Sequence, residues 1–280
     1  MQSFWTAQQI QGNRPYQEDF FAVVENNAVF YQGQKYALED GIFPTQQTLY
    51  LLTDGMGGMG HGDIAAAQVT ESFIEHYLLQ LNLDSSIPEK LNAALHISND
   101  LLAEAVRKQP EYKGMGCTLI AVIWDRYEKT IHWLSIGDSP LWLYRQGQLT
   151  RLNVKHTWGE FAKNRKAQNF NMNDASFASI ADALISAVDG QQLVHIDLPT
   201  EAYPIQSGDL LLLASDGVET LSCTQIEQQL SSFNNYQGDN AEVFEALNEQ
   251  RLALIKAIES QNDPHQDNAS LILGAFINGQ

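Results

Sequence analysis

Cysteine is scarce in this chain. Cys117 and Cys223 are the only two in 280 residues, and with no Cys-x-x-Cys or Cys/His spacing they offer neither a zinc-ligand set nor a disulfide framework. Both are expected to be buried thiols. Basic residues are scarce as well: 16 Lys and Arg stand against 34 Asp and Glu, a formal charge of -18. A surface of that sign repels nucleic acids and anionic membranes, so neither is expected as a partner. Long apolar runs are missing too, the longest being strand-sized and far short of the roughly 20 residues that span a bilayer. The opening "MQSFWTAQQIQGNR" lacks a basic segment followed by an apolar one, so a soluble, cytoplasmic protein is expected. Internal repeats and low-complexity tracts are absent, and nothing forces a division, so residues 1–280 are read as a single domain.

What is present is a succession of apolar runs. Strand-like stretches occupy about 3–10, 19–32 and 48–53, followed by two helical patterns, one from Asp63 and one after Pro88. "CTLIAVIWD", "TIHWLSIGD" and "LWLYRQGQLTRL" then read as an antiparallel meander. "QLVHIDL", "DLLLLASDG" and "ASLILGAF" resume the strands, with helices near 224–232 and 241–260. Between them the polar segment 156–183 breaks the rhythm and reads as an excursion or small flap. Strand runs alternating with paired helices argue for a layered α/β (α+β) domain with mainly antiparallel sheets.

"TLYLLTDGMGGMGHGDIAAA" contains Gly55-x-Gly57-x-x-Gly60, the outline of a dinucleotide-binding loop. That reading requires the following helix to lead into a second parallel strand ending in an acidic residue. Here the helix from Asp63 leads into another helix, and Glu75 sits in mid-helix. The glycines are explained as a turn that lets a strand reach a helix without strain. Asp54, just before them, is not.

The same grammar recurs. Asp54 in "YLLTDG", Asp138 in "WLSIGDS" and Asp216 in "LLLASDG" close apolar strands, and Asp267 in "QDNASLIL" precedes one. Each alone reads as a turn residue, Asp-Gly being a common turn dipeptide. Four together favour a metal site, because carboxylates at strand mouths are costly to desolvate unpaired and few basic residues lie near them in sequence. Hard divalent ions such as Mg²⁺ or Mn²⁺ take carboxylate, carbonyl and water oxygens, and a close pair of ions needs a bridging carboxylate. Asp54 suits that role, and Gly55 lets the chain turn so that its carbonyl can add a ligand.

In chain order the motifs resemble those of the metal-dependent protein Ser/Thr phosphatases, the PPM or type 2C group. "RPYQEDFF" is similar to an opening R-x-x-x-E-D motif, "TDGMGG" to D-G-x-x-G and "GCTLIAV" to a G-[ST]-T strand. "SIGDSPLWLYRQGQLTRL" resembles G-D-S followed by a strand pair, "LISAVDG" a short motif ending in Gly, "LLLASDGV" S-D-G, and "QDNASLIL" a closing D-N-x-[ST] strand. The resemblance covers nearly the whole chain and points to a bacterial-type member. It implies an α-β-β-α sandwich of two mainly antiparallel sheets flanked by helices, with two or three Mn²⁺ or Mg²⁺ ions at one end.

Roles follow from the same resemblance. Asp54 would bridge two ions, Asp216 and Asp267 would bind one of them, and the Gly55 carbonyl would bind the other. Glu18 and Asp19 would act directly or through water, Asp138 would help hold a weaker third ion, and Arg14 would grip the substrate phosphate. The implied reaction is hydrolysis of phosphoserine and phosphothreonine on proteins by metal-activated water, reversing a cognate Ser/Thr kinase. A phospho-enzyme through cysteine is not expected, since neither Cys117 nor Cys223 begins a Cys-x5-Arg loop. A monomer is expected. The sequence departs from the pattern at Met56 and Met59, where relatives place a histidine, and His61 becomes the candidate general acid, with a solvent-facing helix start as its alternative. His156 in "KHTW" is expected to be structural. Two further readings are a pseudophosphatase acting as a binding module and a nicotinamide-cofactor enzyme.

Overall fold

A computed structural model gives the fold and describes residues 1–39, 41–57, 61–81, 83–164, 180–233 and 239–278. Strands β1 (Gln2–Ile10), β2 (Asp19–Glu25), β3 (Ala28–Tyr31), β4 (Gln34–Ala37) and β5 (Gln47–Met56) come first. Helices α1 (Gly62–Gln80) and α2 (Ile87–Lys108) follow, then β6 (Gly116–Cys117), β7 (Leu119–Asp125), β8 (Thr130–Ile136), β9 (Leu141–Arg145) and β10 (Gln148–Arg151). The remaining elements are α3 (Trp158–Asn164), β11 (Tyr203–Pro204), β12 (Leu210–Ala214), α4 (Cys223–Leu230), α5 (Asn240–Ser260) and β13 (Ala269–Ile277).

One sheet runs β11-β8-β7-β5-β2-β3-β4, with β6 paired to β5, and the other runs β1-β13-β12-β9-β10. Their pairings are antiparallel. Side-chain alternation explains the layering. Along β5, Leu49 and Leu51 join the core under α1 and α2, whereas Tyr50 and Leu52 join the core between the sheets. Along β12, Leu210 and Leu212 face α4 and α5, and Leu211 and Leu213 face the other sheet. Strands covered on both faces must be apolar at successive positions, which is why these read as unbroken hydrophobic runs. The result is the expected α-β-β-α sandwich.

The helix boundaries have local causes. Before α2, Ser86 accepts from the Glu89 amide while Glu89 reaches back to the Ser86 amide; Ser222–Gln225 before α4 and Asp239–Glu242 before α5 repeat this box.

Three expectations need correction. The meander after α2 is split: β7 and β8 belong to one sheet, and β9 and β10 to the other. The crossing occurs at the turn after β8, where Gly137 takes φ +105°, a conformation that side-chain-bearing residues rarely adopt. "QLVHIDL" forms no strand. His195 exchanges hydrogen bonds with Ser186 Oγ, Asp197 forms an isolated bridge to Ser135, and Leu193, Ile196 and Leu198 pack beside the α1/α2 core while Val194 stays exposed. Of the two thiols, Cys117 is buried but Cys223 is exposed, because it opens α4 just after the Ser222 cap. Most of the flap excursion, residues 165–179, and Met59 lie outside the described residues. No described helix is long and apolar enough to cross a membrane.

Candidate metal centre

One end of the sandwich collects the acidic residues. Asp54 lies near the end of β5 and is paired directly with Asp19 at the start of β2; with Leu52 and Phe21 two residues inward on the inter-sheet face, both carboxylates belong to that face. Asp216 opens a short 3-10 turn just after β12, Asp138 sits in the turn between β8 and β9, and Asp267 comes two residues before β13. Glu18, Asp54, Asp138, Asp216 and Asp267 line a cleft of about 280 Å³ together with Arg14 and Gly55. Sequence positions 14 to 267 thus meet at one site. Asp19 lies behind this lining, 1% exposed.

The backbone around the cleft is tied tightly. Asp54 N donates to Thr118 Oγ1 at 3.1 Å, Thr118 N donates back to Asp54 O at 2.8 Å, and Thr118 Oγ1 is 2.7 Å from Ser139 Oγ. The β5 end is thereby fixed to the Asp138 turn. Gly55 N donates to Glu18 O at 3.1 Å, and Gly62 N donates to Glu18 Oε1 at 3.1 Å. A Cβ on Gly55 would lie 2.4 Å from Gly62 O and 2.5 Å from Glu18 O, so only glycine lets β5, α1 and the Glu18 loop approach this closely. Ser215 Oγ donates to Asp19 Oδ2 at 2.8 Å, while Asp19 Oδ1 is buried with no hydrogen-bond partner.

Electrostatics set this cluster apart from an ordinary surface. Burial raises the Asp54 carboxyl well above the usual range, and Asp19, Asp216, Asp138 and Asp267 push in the same direction. Burial likewise pushes Asp216 up to about 7, with Asp138 next in effect, and Asp19 up to about 6. Asp138 and Glu18 are raised by burial too, although Lys155 offsets part of the effect at Asp138 and the Gly62 amide part of it at Glu18. Cations that could relieve the repulsion are already engaged. Arg151 and Lys155 both bind Glu219, at 3.0 and 2.7 Å, and Arg151 also holds the Asp138 carbonyl. Arg14 is the one basic side chain lining the cleft among the described residues, and it is ion-paired with Asp267 on the exposed rim.

The carboxylates are gathered but not closed around a point. Among the described residues, no three His, Cys, Asp or Glu side chains already form a cage tight enough for an ion. The donor set nevertheless fits hard divalent cations: all of it is oxygen, the buried Asp19 Oδ1 lacks a partner among the described residues, and burial, with the neighbouring carboxylates, raises Asp19, Asp54 and Asp216.

His61 precedes α1 without a side-chain capping bond, its ring 5.2 Å from that of Tyr112, and it is not among the described residues that line the cleft. Met56 does line it. His156 is buried, its Nδ1 accepting from Gly137 N at 3.1 Å, and burial pushes it down to about 4. It holds the turn that presents Asp138, as a structural residue should.

Two contributors escaped sequence reasoning. Asn268, 4% exposed, accepts from Glu18 N at 2.7 Å and donates to the Gln11 and Tyr16 carbonyls at 2.7 and 2.9 Å. It clamps the loop carrying Arg14 and Glu18 beside Asp267, and its place inside the D-N-x-[ST] motif was the available signal. Asp182 also lines the cleft; it lies in the weakly patterned excursion, where nothing marked it.

Comparisons with known proteins place this geometry. Residues 41–259 match the family model described as protein phosphatase 2C. The serine/threonine protein phosphatase PstP of Mycobacterium tuberculosis is 28% identical over 185 residues, covering 64% of this chain and 33% of that one. The chain therefore spans about a third of the length of this relative. The serine/threonine phosphatase stp of Listeria monocytogenes is 26% identical over 216 residues, 73% of this chain and 80% of its own. Among solved structures, the M. tuberculosis phosphatase PstP/Ppp superimposes with a TM-score of 0.72 at 23% identity over 99% of both chains. The catalytic domain of PstP in complex with two manganese ions gives 0.67 at 21% identity, again over 99% of both. With the family match running through most of the fold and the acidic motifs brought to one cleft, the chain belongs to the protein phosphatase 2C family.

Proposed function

We propose that this protein hydrolyses phosphoserine and phosphothreonine on proteins, acts as a single-domain monomer, and opposes a Ser/Thr protein kinase. The observation that carries the reading is the convergence of six carboxylates and Arg14 on one cleft, in a protein where carboxylates alone would repel a phosphate dianion. The relatives are Ser/Thr phosphatases, and one was solved with two manganese ions; both facts support the reading.

Asp54, Asp216 and Asp267 would hold one Mn²⁺ or Mg²⁺, and Asp54 with the Gly55 carbonyl a second. Glu18 and Asp19 would support them directly or through water, and Asp138 would serve a third. Divalent ions bound there supply charge neutralisation for the phosphoryl group and lower the pKa of water so that hydroxide is available near neutral pH. The chain itself supplies the rest. Thr118 and Ser139 keep Asp54 and the Asp138 turn in register. Arg14, exposed and bonded through its side chain only to Asp267 among the described residues, can turn its planar fork to a phosphate on the same rim. Substrate choice falls to the excursion at about 156–183, of which the described part places Asp182 in the cleft wall, with Leu184 just beyond it.

The test is Mn²⁺-dependent release of p-nitrophenol from p-nitrophenyl phosphate, with Asp216→Asn as the control. Turnover lost in Asp216→Asn supports the reading. A wild-type protein that binds Mn²⁺ without turnover would favour a pseudophosphatase acting as a binding module.

A further inference from the structure

A second cleft, of about 420 Å³, lies back to back with the first. Gly12, Asn13 and Gln266 contribute to its wall, while the next residues, Arg14 and Asp267, contribute to the wall of the catalytic cleft. The two depressions therefore meet along the chain at the Asn13–Arg14 and Gln266–Asp267 links. The loop between them is pinned: Asn13 N donates to Gln266 O at 2.8 Å and Asn13 Nδ2 donates to Asp263 O at 2.7 Å.

The charge of this second cleft has one sign. Its opposite wall is the C-terminal end of α5, where Glu259 and Asp263 stand and the last turn carries no basic residue. No Lys or Arg lines it among the described residues. A 21-residue helix presents partial negative charge at that end, which adds to the two carboxylates. Gln266 gives an independent pointer. It is 7% exposed, and its Nε2 is spent on the Gly217 and Asp267 carbonyls, both at 3.0 Å. Its Oε1, on the other branch of the amide, accepts no hydrogen bond among the described residues. A buried acceptor without a donor is costly, and a ligand rich in N–H groups would satisfy it after a small side-chain adjustment.

Resting on the phosphatase reading above, we propose that this second cleft is a specificity subsite that seats a Lys or Arg side chain of the phosphoprotein, a few residues from the phosphorylated Ser or Thr. An extended peptide advances about 3.3–3.6 Å per residue, so a chain whose phosphoryl group lies beside Arg14 passes over the Asn13 rim within a few residues. Arginine matches best, because its five donors can meet carboxylate, helix carbonyls and amide oxygen at once.

The experiment is a phosphothreonine peptide series in which one Arg, or one Gln in its place, is moved along the positions flanking the phosphoresidue, read as kcat/KM for phosphate release with Mn²⁺. The wild type should prefer Arg over Gln at positions on one side only, by roughly threefold to fivefold, and the preference should shrink as salt is raised. Glu259→Gln should remove most of it and Glu259→Lys should invert it, both leaving p-nitrophenyl phosphate turnover unchanged. A flat series with intact p-nitrophenyl phosphate turnover overturns the subsite alone, as does an Arg preference that survives in Glu259→Lys. Absent p-nitrophenyl phosphate turnover in the wild type overturns the phosphatase reading and the subsite with it.

Discussion

Asp19 and Asp54 stand directly opposite one another on β2 and β5, two carboxylates on the same face of one antiparallel pair. Like charges in that register destabilise a sheet, and here Asp216, Asp138 and Asp267 add to the repulsion at Asp54. The fold thus concentrates negative charge where metal-free stability suffers for it. Replacing Asp54 by the isosteric Asn should raise the Tm of the metal-free protein at pH 8, by about 2–4 °C for each kcal/mol of repulsion relieved. A calorimetric scan in chelator checks this. An unchanged or lower Tm would show that the cluster is not strained.

The pH dependence has a definite sign. Asp19 and Asp216 are raised from 3.8 to about 6 and about 7 in the folded protein, so between pH 4 and 7 the folded state holds protons that the unfolded chain has released. Their stabilising contribution is present below the unfolded value and is lost as pH rises through the folded values. Metal binding requires the ionised forms, so the Tm increase caused by Mn²⁺ should grow from pH 5 to pH 8. Scans with and without Mn²⁺ across that range measure it, and a pH-independent increase would count against these carboxylates as the ligands.

Asn268 makes three hydrogen bonds to a loop about 250 positions away in sequence. Truncating it to Ala removes three part-buried hydrogen bonds, each worth about 0.5–1.5 kcal/mol. The expected outcome for Asn268→Ala is a lower Tm together with weaker Mn²⁺ binding by titration, because Glu18 loses its anchor. Weakened stability with unaltered Mn²⁺ affinity would make the residue a fold determinant only.

How much of this was legible in the sequence follows from the range of each interaction. Most of the apolar runs and the Asp at each strand mouth are local features that lie where the sequence pattern puts them. Sheet membership is not local: the turn at Gly137 that sends β9 into the other sheet reads no differently from a hairpin turn. "QLVHIDL" has a strand's composition, but the Ser186 hydroxyl takes the His195 backbone groups. Asp182 acquires meaning only from partners brought in by tertiary folding, and the D-N-x-[ST] motif marks Asn268 without showing which loop it clamps. The meeting of Asp54, Asp138, Asp216 and Asp267 in one cleft was readable because they repeat one pattern at strand mouths, whereas the Arg14–Asp267 ion pair joins chain ends that no local rule connects.

That ion pair yields a prediction of its own. Arg14→Lys keeps the charge and loses the planar fork. With charge-assisted hydrogen bonds worth about 1.5–3 kcal/mol, kcat/KM for a phosphopeptide should fall by roughly 10- to 100-fold, with Mn²⁺ affinity preserved. Steady-state kinetics beside a Mn²⁺ titration separates the two effects. An unchanged kcat/KM would remove Arg14 from phosphate binding.

The central claim is that the carboxylates around Asp54 hold the divalent ions that make this cleft a protein phosphatase. The most direct measurement is the release of inorganic phosphate from a phosphothreonine peptide by wild type and Asp54→Asn, each titrated with Mn²⁺. The account predicts wild-type release that saturates with Mn²⁺ and disappears in chelator, and no release from Asp54→Asn at any Mn²⁺ concentration despite a folded protein. Release that persists in chelator, or in folded Asp54→Asn, would contradict it.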